Sequence, residues 1–313
     1  MAVLRNPKMI CIYINMLQKR IYIHAPDMVN TVSSVEYILD KIKKHNLNYD
    51  KIIMCCSAGY SGTLESKLDT SSLDIDFYEH NFGPDSFEYP TLHKIWTDSQ
   101  EEDFYCLYLH AKGASKTNEQ DILNSIAWMD YMIYGVIENG EICIDHLNKG
   151  AELVGSIWHW HYKGNFWWGR SSHLKEMPDP LNLMKERFNA EYWCCLGLWW
   201  NGIKKPKIKN LFYIPDLQDD SRFYEITKTL KPSDIPLDYK FVFIDNRIDP
   251  EQSQSLPEFI NTNYKCAVGE IYMLEQDKPL LSYLKNFLEY DGKITLLRGD
   301  AGGSYYTMAY DEI

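Results

Sequence analysis

Seven of the nine tryptophans, at positions 158, 160, 167, 168, 193, 199 and 200, fall between Ser156 and Trp200, interleaved with His159, His161, Lys163, Asn165, Arg170 and Glu191. A core is built more simply from Leu, Ile and Val, which carry no polar atom, whereas each indole needs burial for its ring and a partner for its N–H. Flat rings stack on the C–H faces of pyranoses and polar groups between them read hydroxyls, so the stretch has the make-up of a sugar site. A Trp-rich core hairpin with a buried helix is the plainer alternative. A second cluster, His110-Ala111-Lys112-Gly113, follows directly on the most apolar run of the chain, Phe104 to Leu109. An imidazole, an ammonium and a glycine that lets the backbone come close are suitable partners for a diphosphate. The alternative there is a solvated turn.

Other phosphate-binding patterns are missing. The chain has no G-x-x-x-x-G-K and no G-x-G-x-x-G, and Gly299-Asp-Ala-Gly-Gly303 lacks the strand and helix that would make it one. Asp74-Ile75-Asp76 is the one literal D-x-D. It lies inside an alternating stretch read as a strand, where both carboxylates share one face and a structural role is expected.

Bulk properties narrow the classes. The formal net charge of −12 argues against a nucleic-acid surface and against anionic lipid, and mainly favours solubility. No run of about 18 apolar residues suggests a membrane span, and the N-terminal stretch reads as a strand rather than a signal peptide. The eight cysteines include two vicinal pairs but no C-x-x-C, which is neither a zinc nor a disulfide pattern. A reducing, cytoplasmic setting is expected.

The elements that must position these groups alternate. Strands are expected at Met9–Leu17, Lys51–Cys56, Leu73–His80, Phe104–Leu109 and Glu152–Trp158. Helices are expected at Met28–His45, Phe87–Ser99, Ile122–Ile137, Ile142–Leu147 and Arg187–Leu198, the second starting at Pro90. Ser57, Gly59, Ser61 and Gly62 read as turn. This alternation implies an α/β sandwich with a largely parallel sheet, in which ligands bind beyond the carboxyl ends of the strands. Residues 1–215 form this domain and 216–238 a linker. Residues 239–313, with strands near Tyr239–Ile244, Cys266–Met273 and Lys293–Leu297 and a helix near Leu280–Leu288, form a small or incomplete α/β domain.

Four segments in order, FEYPTLHKIW (87–96), LYLHAKGAS (107–115), KGNFWWGRSSHL (163–174) and RFNAEYW (187–193), resemble a family of glycosyltransferases found in polysaccharide and glycan-synthesis gene sets of bacteria and large DNA viruses. The resemblance covers about residues 8 to 215. It implies a GT-A like fold, a Rossmann-like α/β/α sandwich, a nucleotide-diphosphate sugar as donor, with a UDP-sugar expected, and a glycan or glycoprotein acceptor. Such enzymes usually hold Mn²⁺ or Mg²⁺ on a D-x-D after the central strand. Here His110-Ala111-Lys112 stands at that place, so either His110, Lys112 and Gly113 take up part of the donor charge or a metal is held elsewhere, with His110, Asp74 and Asp76 as weak candidates. Glu191 lies where inverting members carry the general base, and partial desolvation would raise its pKa toward neutrality. His161, Asn165, Trp167, Trp168 and Trp193 would shape the acceptor and sugar pocket. His161 and Lys163 resemble, less closely, a His/Gly/Lys motif of some retaining enzymes. The competing readings are a retaining transferase, a non-catalytic carbohydrate-binding protein, and a glycoside hydrolase, for which only Asp179 or Glu176 could partner Glu191.

Overall fold

The computed structural model describes residues 17–83, 86–156, 158–159, 161–183, 187–198, 202–211, 231–234, 241–243, 270–274, 293–299 and 305–307. In chain order the first elements are β1 (Gln18–Ala25), α1 (Thr31–Lys44), β2 (Lys51–Ser57), α2 (Ser61–Lys67), β3 (Ile75–His80), α3 (Tyr89–Glu101), β4 (Phe104–His110), α4 (Glu119–Ile133) and α5 (Gly140–Asn148). After them come β5 (Leu153–Gly155), β6 (Trp158–His159), β7 (His161–Tyr162), β8 (Trp167–Arg170), α6 (Ser171–Leu174), α7 (Arg187–Tyr192) and β9 (Ile208–Asn210). Seven strands form one sheet in the order β3-β2-β1-β4-β8-β5-β9, while β6 and β7 pair as a separate small hairpin. The pairs from β3 to β4 are parallel, β8 runs antiparallel to both its neighbours, and β5 pairs β9 in parallel. This is the mostly parallel α/β/α sandwich read from the sequence.

Strand β4 is central because every residue from Phe104 to Leu109 is buried on whichever face it points to. Its Tyr105, Leu107 and Leu109 join Ile38, Ile42, Met132 and Trp168 on one face. Phe104, Cys106 and Tyr108 join Tyr22, Leu92, Ile95, Trp167 and Trp193 on the other. His110 continues the second row, so the period of two delivers its ring to the face covered by α3.

Three expectations are revised. The first strand is Gln18–Ala25, whereas Met9–Leu17 falls, but for Leu17, outside the described residues. Its polar opening hides it: Arg20 enters the sheet rim with its guanidinium 4.6 Å from the Phe104 ring centroid and hydrogen-bonded to Gln18 and Glu102. Ser61 and Gly62, read as turn, open a short helix, Ser61–Lys67, held by one fully buried anchor, Leu64, too few for a periodicity to show. Beyond Trp200, where the sequence suggests no element before Tyr239, β9 adds an edge strand to the main sheet.

A four-stranded sheet, β10 (Phe241–Phe243), β11 (Glu270–Leu274), β12 (Lys293–Gly299) and β13 (Tyr305–Thr307), follows; its first three strands are parallel and β13 is antiparallel. The expected helix at Leu280–Leu288, and all of 216–238 except 231–234, lie outside the described residues.

Candidate active site at the carboxyl end of the sheet

Parallel strands end in register here. His24 of β1 is paired with His110 of β4, and His80 closes β3 opposite Ser57 of β2. All three imidazoles lie on the α3 side. Burial first, then the neighbouring His110 and His80, push His24 down to about 3, and its Nδ1 lies 2.9 Å from the Thr91 hydroxyl. Burial lowers His80 as well, and both its ring nitrogens are buried without a hydrogen-bond partner.

The loop after β4 is pinned rather than solvated. Ala111 N–H donates to the His24 carbonyl at 2.9 Å, the Ser34 hydroxyl donates to the Lys112 carbonyl at 3.0 Å, and Asn30 N–H donates to the Ala114 carbonyl at 3.0 Å. Gly113 has φ +76, and a Cβ there would meet Ser125 at 2.7 Å, so this tight passage needs glycine. Lys112 holds its ammonium 4.1 Å from the Trp128 ring centroid, a cation–π contact that fixes the charge beside the site.

His110 is the hub. Its Nε2 lies 2.9 Å from the Gly164 carbonyl, and its Nδ1 lies 3.7 Å from Oε1 of Glu88. Burial lowers its pKa, with the Glu88 charge opposing and Lys112 reinforcing. Glu88 immediately precedes α3, where the helix dipole favours a negative charge. Its other oxygen accepts from the Asn165 amide at 2.5 Å. The amide is oriented from behind, because its oxygen accepts the Trp167 indole N–H at 2.9 Å. The buried Tyr108 phenol lies beside the same carboxylate; burial, then the Glu88 charge, push it well above its ordinary value.

Across the site, His161 Nε2 lies 3.3 Å from Glu191 Oε2, and the Tyr192 ring packs edge-on to His161 with centroids 4.7 Å apart. Burial alone would raise Glu191. The hydrogen bond from His161 and the charges of Lys112, His161 and His110 outweigh it and hold the carboxylate below its usual range. The expected rise toward neutrality is thereby corrected: desolvation is present, but three cationic or hydrogen-bonding neighbours win.

The structure thus brings His110, Lys112, Gly113, His161, Asn165 and Glu191 to one end of the sheet. It does not present the tryptophans as stacking platforms. Trp167, Trp168 and Trp193 are each 0% exposed, with indole N–H groups bonded to Asn165, the Val136 carbonyl and the Pro178 carbonyl. Trp168 even lies on the opposite face of the sheet. These three are core, Trp167 doubling as the support of Asn165. Asp74 and Asp76 are exposed at the far, amino end of β3, where Asp76 pairs with Lys51. They are removed as candidates for a metal near His110. Among the described residues no group of three or more His, Cys, Asp or Glu could hold a metal ion.

Glu88 was missed as a site residue. Its signal was present, since it is the acid of the segment FEYPTLHKIW and sits just ahead of a Pro-started helix, but nothing in the sequence tells which side of that turn faces His110. The backbone adds a second sign. Of three non-glycine residues with positive φ among those described, Phe87 (φ 47) adjoins Glu88 and Asn165 (φ 59) is its partner. Strained residues persist where surrounding structure holds them and gather at functional sites.

No family model and no curated protein matches the sequence. Among solved structures the chain is similar to HddC from Yersinia pseudotuberculosis, at 11% identity over 68% of this chain and 99% of that one, with a TM-score of 0.35. It is also similar to 4-diphosphocytidyl-2C-methyl-D-erythritolsynthase from Anaerococcus prevotii DSM 20548, at 11% identity over 93% of each chain, with a TM-score of 0.28. Similarities this distant say nothing about chemistry. Among the described residues no helix is long and apolar enough to cross a membrane.

Proposed function

We propose that this protein is a glycosyltransferase that moves a sugar from a nucleotide-diphosphate donor to a glycan acceptor. The observation that carries the reading is the convergence of Lys112 and His110 with His161 and Glu191 beyond the carboxyl end of β4, seen in the shared effects of these groups on Glu191. An ammonium and imidazoles suit a diphosphate, and a partly exposed carboxylate suits a hydroxyl. A cavity of about 500 Å³ at the carboxyl ends of β1 and β2, lined by Asp27, Val32, Gly59, Tyr60 and Lys67, touches none of these four residues and lends the reading no support. The ordered resemblance of four segments to the glycosyltransferase family supports the same reading.

In the proposed reaction an acceptor hydroxyl attacks the anomeric carbon. The new C–O bond forms as the bond to the donor phosphate breaks, the diphosphate leaves with the electron pair next to Lys112, and the hydroxyl proton passes to Glu191. A second reading, transfer with retention in which the departing phosphate takes that proton, is favoured by one observation. The His161 contact and the Lys112 charge hold Glu191 below its usual pKa, which weakens it as a base.

Calorimetry with uridine and guanosine diphosphates and their sugar conjugates, with and without Mn²⁺, tests the donor reading. Tight binding of a diphosphate is expected. Binding of free sugars alone would indicate a carbohydrate-binding protein instead.

A further inference from the structure

With the tryptophans buried, the stacking surface of the site falls to α7. A helical period of about 3.6 residues divides this helix into two rows. Ala190 and, just past the end, Trp193 root one row in the core. Glu191 and Tyr192, three and four residues after Phe188, share the opposite row with it. Glu191 fixes where that row points, since its carboxylate reaches His161 Nε2 at 3.3 Å. The Tyr192 ring is held edge-on to the same imidazole, with centroids 4.7 Å apart. Phe188 stands one turn earlier, 64% exposed. A singly exposed apolar side chain needs no explanation in itself. The position of this one is what matters. Among the described residues two phenylalanines are exposed, and each adjoins a carboxylate of the site: Phe87 precedes Glu88, and Phe188 lies one turn before Glu191.

We propose that Phe188 and Tyr192 form the acceptor subsite, in which the C–H face of a neutral pyranose lies on the two rings while one of its hydroxyls reaches Glu191. The inference deepens the acceptor half of the function proposed above and rests on Glu191 facing an acceptor hydroxyl. A ring turned to solvent gains when apolar area covers it. A purely apolar ligand would strand the neighbouring carboxylate without a partner, and an anionic one would be repelled by it. A sugar meets both demands, because its flat C–H face is edged with O–H donors.

The test titrates the methyl β-glycosides of glucose, galactose and xylose into the protein and reads saturation-transfer NMR. At least one is expected to bind, with saturation concentrated on the ring hydrogens of one face. Phe188→Ala should weaken that glycoside roughly 10-fold, the scale of re-exposing the part of a phenyl ring that a sugar covers. Because Phe188 is largely solvated, thermal stability and affinity for uridine or guanosine diphosphate should stay level in that variant. Phe188→Trp, which keeps a flat ring, should retain the glycoside. Equal affinity in the alanine variant would overturn the platform, as would a wild-type protein that binds none of the three glycosides. A joint loss of stability and of both affinities would overturn it too. Diphosphate binding checks the donor reading separately. If it is absent while a glycoside still binds through Phe188, the transferase reading falls and the platform stands, as that of a carbohydrate-binding protein.

Discussion

His161 and Glu191 meet at 3.3 Å across the site, imidazole Nε2 to carboxylate Oε2, with only 19% of the Glu191 side chain exposed. The acid nominated from sequence is therefore a tethered carboxylate, ionised and aimed, rather than one waiting in an apolar pocket. This sets its expected behaviour.

Replacing Glu191 by Gln keeps shape and removes the proton acceptor. Transfer is expected to fall by about 10²–10⁴-fold, while diphosphate affinity stays constant. Undiminished turnover would assign the proton to the leaving phosphate and the retaining course. Because its folded pKa is depressed, any stability it contributes is present above the ordinary Glu value and disappears as pH falls through the lower folded one.

Lys112→Ala is expected to weaken nucleotide-diphosphate binding by roughly 1.5–3 kcal/mol, as for one charge-assisted hydrogen bond. The ammonium is poised on Trp128 at 4.1 Å, so little ordering remains to be done on binding. Titration calorimetry showing equal affinity would remove Lys112 from the donor site.

His24 sets an acid-side dependence of stability. Its pKa falls from 6.5 to about 3 on folding, so the unfolded chain takes up a proton that the folded one refuses. Its effect is absent above pH 6.5, and stability is then lost as pH falls toward about 3, at up to about 1.4 kcal/mol per pH unit. His24→Gln should flatten that part of the denaturation profile. An unaltered slope would place the proton uptake elsewhere.

Trp168→Phe separates core from site. The change strands the buried Val136 carbonyl, now bonded by the indole at 2.7 Å. The expected loss is about 1–3 kcal/mol of stability, the cost of a buried unsatisfied group. Donor affinity is expected to be unaffected, since the ring lies on the opposite side of the sheet. A selective drop in sugar binding with unchanged stability would restore the stacking role.

Much of the architecture was legible in the chain alone. Phe104–Leu109 is apolar at every position because both faces of β4 are buried, and helices interleave with strands as a parallel sheet requires. The loop His110–Gly113 could be placed beyond a strand end by counting, and Glu191 on a helix by periodicity. What only the tertiary structure decided is direction. The Trp-rich stretch admits both a sugar site and a core, because an indole bonded to a buried carbonyl looks the same in sequence as one stacked on a sugar. Asp74 and Asp76 carry suitable chemistry at the wrong end of a strand. Glu88 reaches His110 because Phe87 and Asn165 adopt positive φ and turn two distant segments toward each other. Residue type and local period are properties of neighbours in the chain. The pairing of Glu88 with His110, and of His161 with Glu191, depends on how the sheet, α3 and α7 pack, and that is set by the summed burial of the whole domain.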